Sequence, residues 1–275
     1  MTTMSHATTP DFEAIKSRQK ATWGSGNYGQ IGSRLQIVGE SLCAAADVRA
    51  HHRVLDVAAG TGNASLAAAR RFADVVATDY VPELLDQTRR RAAADGLALE
   101  TRVADCEQLP FADGEFDVTL STYGVMFAPN QERSAAELVR VTKPGGRIAM
   151  ANWTPESYIG EVFRIVGRFV PPPAGVAPAS AWGTEARLRE LFDGAARELK
   201  IERKHFHFVF RSPEHWVELF RTYYGPVLKA FGALDAAGQA ELHAALVEAL
   251  ERRNVAGSES LVVPSEYLEI VIERA

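Results

Sequence analysis

Asp56, Asp79, Asp105 and Ser121 each stand at or just after the end of a short apolar run. The first of them opens Asp56-Val57-Ala58-Ala59-Gly60-Thr61-Gly62, and the alanine-rich Ala64–Ala69 follows. Val54, Leu55 and Val57 suit a strand covered on both faces. Gly60 and Gly62 permit positive φ and put no Cβ in the way of a ligand. The alanines then favour a helix, whose first N–H groups are left free at the strand's carboxyl end. The chemistry on offer is recognition: carboxylates accept hydrogen bonds from hydroxyl and amino groups, and free N–H groups donate them.

Two ligand classes fit such a turn. A dinucleotide calls for G-x-G-x-x-G/A, with its pyrophosphate on the helix N-terminus. Ser65 stands at the third glycine position, and the Asp56 carboxylate would repel a pyrophosphate. S-adenosylmethionine has no phosphate and carries an amino acid zwitterion, for which an acid at the strand end is useful. Asp56 therefore tilts the turn away from NAD.

The elements that must position these residues alternate. Asp74–Asp79 is a second buried strand, and Pro82 lies in the first turn of a helix that stops at Asp95-Gly96. Strands follow at 97–103, 116–120 and 147–153, the last after the tight turn Lys143-Pro144-Gly145-Gly146. A helix is expected from Gln131 to Val141. Alternating short strands and helices predict a parallel sheet with helices on both faces. Right-handed crossovers put the strand carboxyl ends on one edge. A loop acid explains any one of the polar residues, but their convergence on one edge predicts a site.

Upstream, Asp11 is an N-cap for a helix to about Thr22. Trp23 to Gly29 holds three glycines around two aromatic rings, and reads as a surface turn or as a lid. A helix from Ile31 to Ala46 follows. His51 and His52 read as a solvated loop. Downstream, helices are expected over 155–169, 186–192, 212–225 and 226–256, with strands at 199–210 and 267–272. Pro171–Pro178 is a proline-rich, mostly apolar loop.

At 275 residues the chain is one large domain or a core with a cap. A net charge of −5 gives no basic field for nucleic acid or an acidic membrane. Cys43 and Cys106 form no C-x-x-C pattern and imply no disulfide framework. Met1 to Pro10 is polar, reads as disordered, and does not read as a signal peptide. No run approaches a membrane span. A cytoplasmic protein is expected, with no metal site.

The segments Val54–Leu66, Val76–Leu84, Ala104–Gly124 and Val139–Trp153 together resemble the class I S-adenosylmethionine-dependent methyltransferases. The resemblance is to the small-molecule group related to the ubiquinone/menaquinone-biosynthesis enzymes, and it covers roughly residues 50–155. It implies an α/β, Rossmann-like, seven-stranded sheet in the order 3-2-1-4-5-7-6, last strand antiparallel, with helices on both faces and a helical cap. The domain division it implies follows the chain. After the tail over 1–10, residues 11–275 form one methyltransferase domain. Within it, 11–50 are N-terminal helices or lid, 51–155 the cofactor core, 156–198 and 211–262 the substrate cap, and 199–210 and 265–273 the closing strands.

The resemblance also assigns roles. Asp56, Ala58, Gly60, Thr61 and Gly62 would hold the methionine end of S-adenosylmethionine, with Tyr28 closing that side. Asp79 would take the ribose hydroxyls and Tyr80 would flank the adenine. Asp105 and the Cys106 N–H would bind the adenine edge. The carbonyl near Ser121 and Thr122 would receive the ammonium. Related enzymes often carry a His-His pair where Met126 and Phe127 stand, so the resemblance does not extend to a quinone substrate.

The acceptor is expected to be a small apolar or aromatic metabolite, methylated on O, N or C and yielding S-adenosylhomocysteine. Tyr123, Met126, Trp153, Trp182, Trp216, Phe220 and Tyr224 are candidates to contact it. His205, His207, His215 and Tyr223 have the right chemistry for a base. A homodimer is left open. Two other classes stay in view: a non-catalytic S-adenosylmethionine-binding protein and an NAD-dependent oxidoreductase.

Overall fold

The computed structural model describes residues 10–275; the tail expected over 1–10 falls, Pro10 apart, outside them. The chain runs through α1 (Phe12–Trp23), α2 (Gly29–Gly32) and α3 (Gln36–Ala45). It continues through β1 (Arg53–Val57), α4 (Asn63–Ala69), β2 (Asp74–Asp79), α5 (Pro82–Ala94) and β3 (Glu100–Val103). Next come β4 (Phe116–Thr122), α6 (Gln131–Val141), β5 (Thr142–Trp153), α7 (Tyr158–Phe169) and α8 (Glu185–Leu191). The chain closes with β6 (Ala196–Phe210), α9 (Pro213–Tyr223), α10 (Gly225–Gly232), α11 (Ala236–Arg253) and β7 (Leu261–Arg274).

The seven strands form one sheet in the order β3-β2-β1-β4-β5-β7-β6, as expected. Strands β1 to β5 are parallel, and β7 runs antiparallel to both of its neighbours. Alternation along β1 assigns its faces. Leu55 and Val57 join the larger core, under α6, α7 and α9–α11. Val54 joins the smaller core under α3 and α4, with Leu42, Ala64 and Ala67. Asp56 has the same parity as Val54, so it points towards α4.

The boundaries differ from expectation where local hydrogen bonding wins. Strand β3 starts at Glu100 and not at residue 97, because the Leu97 N–H closes α5 on the Ala92 carbonyl at 2.8 Å. The helix expected from Ile31 to Ala46 is broken by a 3-10 turn at Ser33–Leu35. The one expected over 226–256 is two helices, because the Asp235 carboxylate accepts from the Gly238 N–H at 2.9 Å and starts a new helix there. Strand β7 reaches from Leu261 to Arg274, well beyond the expected 267–272, since the long β6 gives it a partner throughout.

Three expected acceptor contacts are core residues. Trp182, Trp216 and Phe220 are at most 2 % exposed. Trp216 stacks on Phe220 with ring centres 3.7 Å apart and meets Tyr158 edge-on at 5.3 Å. Trp182 packs edge-on against Phe192. Their aromatic area is spent holding the cap on the sheet.

Trp216→Ala is therefore expected to act on stability. Truncating a buried tryptophan costs about 3–5 kcal/mol, which for a chain of this size lowers the melting midpoint by about 10 °C. Calorimetric melting checks this; a variant that melts like the parent yet binds its acceptor poorly would restore Trp216 to the site.

Candidate active site

The site is built at the carboxyl ends of β1, β2 and β4, where open α/β sheets place their ligands. After β1 the backbone turns sharply. Ala58, Gly60 and Gly62 have φ of 52°, 57° and 81°. At Gly62 a Cβ would also lie 2.5 Å from Thr88 Cγ2, so only glycine fits. After β4, Tyr123 has φ of 52°, and Gly124 follows so close to the β1 turn that a Cβ there would meet the Ala58 carbonyl oxygen at 2.3 Å. Left-handed backbone at Ala58 and Tyr123 stores strain of about 1–3 kcal/mol each.

Two carboxylates hold this turn. Asp79 accepts from the Gly60 N–H through Oδ2 and from the Val81 N–H through Oδ1, both at 2.9 Å. Asp56 Oδ2 accepts from the Ser65 N–H at 2.8 Å and the Ser65 hydroxyl at 2.5 Å, while its Oδ1 is buried with no partner among the described residues. Ser65, at the third position of the glycine pattern, is thus the residue that receives Asp56. Burial pushes Asp56 up to about 7 and Asp79 up to about 6, against the opposing pull of these hydrogen bonds.

A narrow cleft opens beside the turn, with room for about 60 Å³. Ala58, Gly60, Asp79, Tyr80, Asp105 and Cys106 line it, six of the twelve expected cofactor contacts. Burial pushes the Cys106 thiol up to about 12 and holds the Tyr80 phenol protonated. Tyr28 leans over the turn: its ring carbon would lie 3.4 Å from a Cβ on Gly60. Asp56, Thr61, Gly62 and Ser121 stand behind the wall and shape it. Ser121 Oγ donates to the Val57 carbonyl at 2.8 Å and accepts from the Val125 N–H at 2.9 Å. The Thr122 hydroxyl is buried without a partner among the described residues.

The far wall of the cleft comes from α1, whose polar side chains gave no motif. Lys16 Nζ donates to Asp105 Oδ2 at 2.6 Å and lies 3.2 Å from Glu107 Oε2. Burial acts against the Lys16 charge, and the bonds to Asp105, Glu13 and Glu107 outweigh it, so its pKa is raised. Gln19 Nε2 donates to the Phe127 carbonyl at 3.1 Å, and the Trp23 ring meets Phe127 at 4.8 Å. Only their wide sequence separation from the strands, 89 residues for Lys16 and Asp105, hid them.

Gln19, Phe127 and Ala128 also line a second cavity of about 600 Å³. This groove runs between α7 and the proline loop, and Met126 and Tyr224 of the expected acceptor contacts line it. Tyr123 and Trp153 lie beneath, stacked on each other at 4.0 Å with parallel rings. The candidate bases are elsewhere. His205 and His207 are exposed on β6, the edge strand, because alternation turns Phe206, Phe208 and Phe210 inward instead. His215 Nδ1 accepts from the Arg211 N–H at 3.3 Å. Tyr223 is half-buried on α9 and lines neither cavity, though its carbonyl accepts from the Asn27 N–H at 3.2 Å. In the groove, Tyr224 has its phenol pushed up by burial and by Tyr28, which suits a packing role better than that of a base.

A family model described as "Methyltransferase domain" matches residues 55–150. A Mycobacterium tuberculosis (strain H37Rv) protein of uncharacterised function is 39% identical over 229 residues, covering 82% of this chain and 84% of that protein. The demethylmenaquinone methyltransferase of Thermus thermophilus is 32% identical over 179 residues, covering 59% of this chain and 81% of that enzyme. Among solved structures, the YcgJ protein of Bacillus subtilis superposes with a TM-score of 0.58 at 19% identity, covering 86% of this chain and 98% of that one, a likeness of fold.

The two carboxyls at the turn predict a pH effect. Both are pushed up in the folded chain from an ordinary value of 3.8, so the folded state takes up protons first as pH falls. Their ionisation opposes folding above about 7, and the opposition is relieved as pH falls through about 7 and about 6. Between pH 8 and pH 5 the ligand-free protein should gain stability on the order of a few kcal/mol. Asp79→Asn should flatten that rise in a series of thermal melts. A midpoint that falls steadily over the same range would contradict the assignment.

Proposed function

The chain belongs to the class I S-adenosylmethionine-dependent methyltransferases, in the small-molecule group related to the ubiquinone/menaquinone-biosynthesis enzymes, and we propose that it methylates a small, largely apolar metabolite in the groove beside α7. S-adenosylmethionine, the family's cofactor, supplies when bound an electrophilic methyl on a sulfonium. The observation that carries the reading is the junction, at Gln19, Phe127 and Ala128, of a cleft lined by Lys16, Asp79 and Asp105 with a larger apolar groove.

The donor set fits that cofactor. Each Asp79 oxygen accepts a single N–H bond, which leaves lone pairs for the two ribose hydroxyls. Asp56 stands behind the wall and holds the turn through Ser65, which keeps the Gly60 backbone placed for the methionine end. Asp105 and Cys106, with Tyr80 beside them, would meet the adenine. The Lys16 ammonium sits on Asp105 and α1 fills much of the cleft, so α1 acts as the lid and must lift to admit a ligand of nucleotide size.

The chain then works by alignment and exclusion of water. Trp23, Phe127 and Tyr224 surround the junction of the two cavities. Residues at that junction would hold an acceptor with its lone pair in line for transfer of the methyl group that S-adenosylmethionine would supply. A neutral acceptor makes this step disperse charge, and an apolar, water-poor wall favours it.

Calorimetric titration is the test. S-adenosylmethionine should bind tightly and NAD should not; Asp79→Ala should weaken the former by about 100-fold or more, the loss expected for two hydrogen bonds to a charged group. A protein that bound NAD alone would sink the reading. A screen with methyl-labelled cofactor over apolar and aromatic hydroxyl, amine and carbon acids then separates an enzyme from a binding protein.

A further inference from the structure

The groove has a polar mouth on an apolar body. Phe163, Val166, Pro172 and Val176 form its walls, while Arg164 and Arg168, one turn apart on α7, line it and are exposed. The nearest acid on the same helix is Glu161, and it is committed elsewhere: Arg253 of α11 holds it at 2.6 Å, and Arg252 also pairs with it. Arg164 is left with the Pro155 carbonyl as its only acceptor among the described residues, and Arg168 has no acidic partner among them. The whole chain carries a net charge of −5, so this positive spot is local.

We propose that the acceptor is an elongated apolar molecule with one anionic head group, its head on Arg164 and Arg168 and its reacting end at Gln19 and Phe127. The proposal rests on the methyltransferase reading above. Guanidinium groups present forked donors that match a carboxylate or a phosphate. At the mouth the head group keeps part of its hydration, so the large cost of burying a charge is avoided. The apolar body loses water along the groove instead, at about 25 cal/mol per Å² buried. Prolines on one wall are already fixed in φ, so little ordering entropy is lost on binding. A cavity of about 600 Å³ is the size of ordinary small-molecule sites.

Decanoate, decyl phosphate and decanol, titrated calorimetrically at low salt with and without S-adenosylhomocysteine, test the proposal. At least one of the two anions should bind about tenfold more tightly than the alcohol, the size of one good charge-assisted pair. Preference for decanoate identifies a carboxylate head, preference for decyl phosphate a phosphate head, and equality a requirement for charge alone. The double variant Arg164→Gln/Arg168→Gln should lose the preference and keep its affinity for decanol within about twofold; both residues are exposed, and a melting curve confirms folding. Decanol binding as tightly as both anions, or a preference that survives in the double variant, overturns the proposal. Failure of S-adenosylhomocysteine to bind would sink the methyltransferase reading instead, and leave the anion preference to be judged from the titrations without it.

Discussion

The Asp79 carboxylate ties together two turns that would otherwise move independently. One oxygen holds the Gly60 N–H of the β1–α4 turn, and the other holds the Val81 N–H at the start of α5. The parallel register brings them within reach: Val57 pairs with Thr78, so both strands end at the same height. Asp56 does the equivalent work behind the turn, anchoring α4 through Ser65. Both carboxyls are buried and resist ionisation, and together with the positive φ at Ala58 they make this edge a costly piece of structure. The sheet and its two cores supply the stability that offsets that cost. A ligand that donates to these acceptors recovers part of it.

Aromatic packing divides the two cavities. Trp23 meets Tyr28, Phe127 and Tyr224 at ring separations between 4.8 and 5.9 Å, and Phe127 continues the contact to Phe163 of α7. These rings come from five parts of the chain: α1, the loop before α2, the loop after β4, α7, and the residue just before α10. A displacement of α1 that frees Lys16 from Asp105 must also move Gln19 and Trp23, since all three lie on one helix. On the proposed lid motion, opening of the cleft and exposure of the groove beside Gln19 would therefore be coupled through a single rigid element.

The strand-end turns that shape the cleft were legible in the sequence because their signals are local. A glycine turn and an acid at a strand end each specify backbone geometry over a few residues, and the strand order came from the family resemblance that these segments carry. The acceptor half was not legible in the same way. Trp182, Trp216 and Phe220 have the composition of a binding pocket and the burial of a core, and periodicity cannot tell these apart. Lys16 and Gln19 lie on a helix whose side chains match no motif, and nothing before folding shows that it packs over Asp105. The His205 and His207 positions illustrate the converse: their residue type suits a base, and only the strand pairing shows that their face looks to solvent at the sheet's edge.

The division between halves has a physical source. A polar ligand is recognised by directional bonds to backbone groups and carboxylates, and only a few residue types in a fixed order provide them. An apolar ligand is recognised by shape and by removal of water, and many combinations of Val, Phe, Pro and Met give the same cavity. Specificity in such a cavity comes from the few polar groups that line it, here Gln19, Arg164, Arg168, Ser180 and Tyr224. If the groove holds the acceptor as proposed, those are the positions at which one acceptor would be told from another, since an apolar wall discriminates only weakly among molecules of similar length.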